Sequence, residues 1–81
     1  MGTVFRYRGL HGAGMKIIFN GFAEDFDRPA LTIQELLDLS EEDDPAVIVE
    51  VNGRYVYRRD FTAFSLKDGD RVEFIHPSFG G

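Results

Sequence analysis

The sequence predicts an α+β fold, a mixed sheet of four to five strands with one main helix packed on one face. Three observations point to it. Two Asn-Gly pairs, Asn20-Gly21 and Asn52-Gly53, each lie between β-branched or aromatic stretches and mark two-residue hairpin turns. A single capping-box pattern, Thr32-Ile33-Gln34-Glu35, opens one stretch of helical spacing. The length, 81 residues, leaves room for one domain with a modest core.

In chain order, residues 1–14 hold four glycines and show no sustained periodicity, and the character changes at Met15. This leader is expected to be disordered or a non-native extension, with residues 15–81 as the folding unit. Residues 16–20 (KIIFN) form the first strand, and residues 22–27 the return strand after Asn20-Gly21. Thr32 then caps a helix whose Ile33, Leu36 and Leu37 share one face. The helix ends near Leu39 or Ser40, because Glu41-Glu42-Asp43-Asp44-Pro45 puts negative charge at a C-terminus. That acidic run reads as a solvated loop, lacking the glycine and spacing of a calcium loop. Residues 46–51 (AVIVEV) are the most strand-like segment, followed by the Asn52-Gly53 turn and a short strand at 55–57. Residues 58–66 read as irregular, with room for a single helical turn. Asp68-Gly69-Asp70 turns the chain into the last strand, residues 71–76 (RVEFIH), and residues 77–81 are expected to be a flexible tail. One helix over a mixed sheet in this order is a β-grasp arrangement.

Alternation along the strands assigns the two faces. Ile17, Phe19, Val47, Val49, Val51, Val72 and Phe74 point toward the helix. Ile18, Ile48, Glu50, Glu73 and Ile75 fall on the opposite, uncovered face. Three isoleucines ringed by acids are either scattered surface residues or a docking patch.

Composition removes several function classes. No apolar run approaches the roughly 20 residues that cross a bilayer, so no membrane-spanning role is expected. With no secretory signal pattern at the start, the expected compartment is the cytoplasm. There is no cysteine, hence no disulfide, thiolate metal site or thiol nucleophile. The net charge is −5, and from Met15 onward all fourteen acids face only seven basic residues. Nucleic acid is therefore a poor partner and a basic protein surface a good one.

A convergent catalytic set is lacking too. His76 stands at a strand end with no partner identifiable from sequence, and Asp68 and Asp70 suit a turn. Arg54, Arg58 and Arg59 form the only basic cluster, either a solvated edge or a contact for an acidic partner. No residue is assigned a catalytic or metal-binding role. What remains is the end of the chain, Pro77-Ser78-Phe79-Gly80-Gly81. Glycine has no Cβ, so a Gly-Gly tail is thin and can thread a narrow channel. Its α-carboxylate is the one group that a cysteine-free carrier can offer for activation.

Residues 15–81 resemble the ThiS/MoaD family of ubiquitin-like sulfur carriers, and ThiS more closely. The resemblance rests on MKIIFNG, on LTIQELLDL for the helix, on VIVEVNGRYV, and above all on LKDGDRVEFIH followed by the terminal Gly-Gly. Two features depart from it. Tyr57-Arg58 stands where ThiS-like chains usually have Pro-Arg, and the Pro77 and Phe79 of the tail are closer to MoaD.

The resemblance implies a protein co-substrate rather than an enzyme. A ThiF/MoeB-like adenylating enzyme would use ATP to activate the Gly81 carboxylate, and the carrier itself would bind no cofactor. Sulfur from a partner's persulfide would convert Gly81 to a thiocarboxylate, and an acceptor such as thiazole synthase would take it for the thiazole of thiamin. Gly80 and Phe79 would form the tail, and Ile18, Ile48, Ile75, Glu50 and Glu73 the partner-docking patch. The alternatives are a MoaD-like carrier for molybdopterin or another acceptor, and a β-grasp interaction or protein-modifier module without sulfur transfer.

Overall fold

The structure is a computed structural model and describes residues 14–77. Residues 1–13 of the 1–14 leader and residues 78–81 of the tail, which include Phe79, Gly80 and Gly81, lie outside the described residues. The elements are β1 (Met15–Phe19), β2 (Phe22–Phe26), β3 (Ala30–Thr32), α1 (Ile33–Leu39), β4 (Ile48–Val51), β5 (Arg54–Val56), a 3₁₀ turn at Arg58–Asp60, β6 (Ser65–Lys67) and β7 (Arg71–Ile75). Five strands form a mixed sheet in the order β2-β1-β7-β4-β5, and β3 pairs with β6 in a small second sheet. The helix, the five strands and their order form the β-grasp fold that the sequence predicts.

Both Asn-Gly turns carry the positive φ angles that a type I′ hairpin needs, 51° and 88° at Asn20-Gly21 and 52° and 82° at Asn52-Gly53. Their asparagines also brace β7. Asn20 Oδ1 accepts from the Phe74 N–H at 2.8 Å, continuing the parallel β1–β7 ladder where β1 has ended. Asn52 Oδ1 accepts from the Arg71 N–H at 2.9 Å, and its Nδ2 donates to Asp70 at 3.0 Å. The last strand is thus held between β1 and β4 and also at the two turns.

The capping box forms as expected. The Glu35 N–H donates to Thr32 Oγ1 at 3.0 Å and the Thr32 N–H to Glu35 Oε1 at 2.8 Å. Two more unpaired N–H groups at the helix start, those of Ile33 and Gln34, donate to the carbonyls of Phe64 and Phe61. The far end closes in a Schellman motif after Ser40. Glu41 takes φ 58°, its N–H donates to Asp38 O, and the Glu42 N–H donates to Leu37 O at 2.9 Å.

The face assignment is observed, with Ile17, Val47, Val49, Val51, Val72 and Phe74 in the core. Phe19 is only partly buried, packed edge-on against Phe74 at 4.8 Å between ring centroids. Two expectations need correction. Residues 58–66 are not merely irregular, because Ser65 and Leu66 begin β6, and Phe61 and Leu66 are core residues. The approach to the helix holds a further strand, β3, whose Leu31 lies opposite Leu66. The physical reason is coverage. A seven-residue helix is about 10 Å long, while a five-stranded sheet is roughly 19 Å across. Phe61, Leu31 and Leu66 close the part of the core that the helix cannot reach.

Candidate functional site

The uncovered face of the sheet and the point where the chain leaves it form the candidate site. The antiparallel register of β4 and β7 sets Ile48 opposite Ile75 and Glu50 opposite Glu73. The hairpin register sets Tyr55 beside Glu50, and one step further along it places Tyr57 beside Ile48. The outer face therefore carries one apolar row, Tyr57-Ile48-Ile75, and one acidic row, Tyr55-Glu50-Glu73. Tyr55 and Tyr57 are each about half exposed and meet edge to face at 4.7 Å. The Arg59 guanidinium lies over the Tyr57 ring at 4.6 Å, which extends the patch with a cation.

Glu50 and Glu73 make no hydrogen bond or ion pair within the chain among the described residues. Like charges directly across a ladder disfavour the sheet, so the row is a cost that folding alone does not need. It suits a surface that meets basic groups on a partner.

Ile18 is placed differently from the other two isoleucines. It lies opposite Arg71 on β7 and Ala23 on β2, and Arg71 is four residues from Ile75 along the strand. The structure thus brings Ile48, Ile75, Glu50 and Glu73 together and sets Ile18 apart. Tyr55 and Tyr57 complete the patch in its place. Their signal was present in the sequence, since a two-residue turn at Asn52-Gly53 pairs residue 50 with 55 and 48 with 57.

The tail leaves from the middle of the sheet. β7 is the central strand, and the chain runs from Ile75 through His76 to Pro77 at the edge of the apolar row. His76 does have a partner, because its Nε2 lies 2.9 Å from Glu42 Oε1 in the loop after the helix. Asp68 and Asp70 hold backbone, accepting from the N–H groups of Lys16 and Lys67. In the basic cluster, Arg58 Nη2 donates to the Pro45 carbonyl at 2.6 Å, tying the 3₁₀ turn to the loop that precedes β4. Among the described residues no group of three or more His, Asp or Glu is placed to hold a metal ion, and no helix is long and apolar enough to cross a membrane.

Known proteins supply the last observation. The model of the ThiS family matches residues 17–81, a span that includes Gly80 and Gly81. The crystal structure of the thiamine biosynthesis protein (ThiS) from Geobacter metallireducens is similar to this chain with a TM-score of 0.76 and 36% identity, over 83% of this chain and 100% of that one. The solution structure of a thiamine biosynthesis protein from the same organism has a TM-score of 0.65 and 37% identity, over 83% of this chain and 88% of that one. Among curated proteins none matches the chain.

Proposed function

The chain belongs to the ThiS family of sulfur carriers, and from that membership we propose that it delivers sulfur to thiamine biosynthesis from its C-terminal Gly81. One observation carries the reading. The family match runs through Gly81, and the chain that leads there leaves the central strand beside the apolar row of Ile48 and Ile75.

The chemistry asks little of the carrier beyond reach. In a ThiF/MoeB-like enzyme the Gly81 carboxylate attacks the α-phosphorus of ATP and pyrophosphate leaves. The acyl-adenylate carbonyl is then electrophilic, with AMP as its leaving group. The terminal sulfur of a partner's persulfide attacks that carbonyl and displaces AMP. A thiol opens the resulting S–S bond, being oxidised to a disulfide, and a thiocarboxylate remains on Gly81. This group is a better nucleophile than a carboxylate and passes its sulfur to an acceptor such as thiazole synthase in the cytoplasm. Phe79 and Gly80 span the approach, and two residues without Cβ let the terminus enter a narrow site.

A tail alone offers little area for specific binding and loses conformational freedom when it threads. The Ile48–Ile75 row, flanked by Tyr55 and Tyr57, supplies contact area, and Glu50 and Glu73 orient the approach. Docking also raises the effective concentration of the terminus at the partner's site. Two sets of variants separate these roles in an assay of carrier-dependent pyrophosphate release. Ile48→Asp or Ile75→Asp should raise the half-saturating carrier concentration about tenfold or more, with recovery at excess carrier. Deleting Gly81 should abolish the reaction at every concentration. Activation of the Gly81 deletion would overturn the assignment of Gly81 as the reacting residue, and a wild type that releases no pyrophosphate would overturn the carrier reading in favour of an interaction module.

A further inference from the structure

We propose that Glu42 and His76 form a clasp that fixes the direction in which the tail leaves the sheet, so that both act as positioning residues for its activation. This rests on the carrier reading above.

His76 is the first residue after β7, and Pro77 follows it. Proline has no N–H with which to continue the ladder, and it biases the residue before it toward extended backbone. The chain therefore leaves extended, and what remains to be set is where His76 points. The loop after the helix is built to set it. The Schellman closure commits Glu41 to φ 58°, a conformation usually left to glycine, and ties the Glu42 N–H to Leu37 O. The Glu42 carboxylate then takes one donor on each oxygen, the Asp44 N–H on Oε2 at 3.1 Å and His76 Nε2 on Oε1 at 2.9 Å. Its side chain is only 16% exposed, although that of His76 is 51% exposed. A fixed acceptor thus meets the one side chain at the root of the tail that can reach it.

An ionised carboxylate only accepts hydrogen bonds, so the contact requires a proton on Nε2. The neutral Nε2–H tautomer and the imidazolium both provide it. A pair this exposed on one side contributes little to global stability. Its consequence lies in pre-organisation, because a root already held at His76 need not be ordered when the terminus threads into a docked partner.

The test uses the full chain with the adenylating enzyme of the same organism. His76→Ala should raise the half-saturating carrier concentration about three- to tenfold with the maximal rate unchanged, and should lower Tm by less than about 5 °C. His76→Gln, which restores a donor at similar reach, should return the half-saturation to within about twofold of the wild type. Glu42→Ala should match His76→Ala, and the double variant should be no worse than either alone. The residual dipolar coupling of the His76 amide reads the clasp without a partner, falling in His76→Ala and returning in His76→Gln. The clasp is overturned by a half-saturation unmoved in His76→Ala, by no rescue with Gln, by effects that multiply in the double variant, or by unchanged dipolar couplings. A wild-type chain that is never adenylated overturns the carrier reading, and the dipolar couplings still decide the clasp.

Discussion

Replacing Val49 with alanine deletes two carbons from a side chain that is fully buried, facing Phe74 on β7 and Val56 on β5. Each buried carbon removed costs about 0.8 kcal/mol in transfer from water, or about 1.6 kcal/mol for the pair. The cavity adds about 24 cal/mol per Å³ that the surroundings fail to fill, and β4, fixed between β7 and β5, has little freedom to close it. The expected loss is about 2–3 kcal/mol. In a domain of this size 1 kcal/mol moves Tm by about 4–8 °C, so a drop of about 8–24 °C should appear in thermal unfolding, with a matching fall in the urea midpoint. Ile48, one residue earlier, points to the uncovered face and is half-buried. Ile48→Ala should therefore cost less than about 1 kcal/mol while weakening partner binding. If Ile48→Ala lowered Tm sharply and Val49→Ala left it unchanged, β4 would be out of register by one residue. The docking row would then belong to the core.

Two further predictions concern backbone that a single residue holds. Asn20→Ala removes the acceptor for the Phe74 N–H and puts at φ 51° a residue that, unlike asparagine, has no polar side chain to favour the left-handed region, so it should cost about 1.5–3 kcal/mol in urea unfolding; a neutral result would mean that β7 does not need this brace. Glu41→Gly relieves the left-handed backbone at φ 58° and removes an acid from the helix C-terminus, so it should gain about 0.5–1 kcal/mol; a loss would show that Glu41 makes a stabilising contact that outweighs its backbone cost.

The parts of the fold that could be read in advance are those specified locally. Asn20-Gly21 and Asn52-Gly53 carry their turn geometry in two residues, and Thr32 with Glu35 caps the helix within four. β3 and β6 could not be read that way. Each has three residues, too few for a period, and their pairing of Leu31 with Leu66 joins residues 35 apart. Phe61 lay in a segment without periodicity, and its burial follows from the shortness of the helix rather than from its neighbours. The site divides along the same line. Ile48, Ile75, Glu50 and Glu73 follow from alternation and were legible, and Tyr55 and Tyr57 needed only the hairpin register carried two residues further. The separation of Ile18 depends on the parallel stagger of β1 against β7, which no local pattern encodes. The Glu42–His76 contact joins residues 34 apart through the Schellman closure, and Glu41, which adopts its left-handed backbone, is not the glycine that would have announced it.

The central claim is that Gly81 carries the sulfur, and the intact mass of the chain tests it most directly. The wild type is incubated with ATP, a persulfide donor and the adenylating enzyme of its own organism, and its mass is compared with that of the same mixture without ATP. The account predicts an ATP-dependent gain equal to the exchange of one oxygen for one sulfur, located in the C-terminal fragment and lost when Gly81 is deleted. An unchanged mass for the wild type, or the same gain in the chain that lacks Gly81, would contradict it.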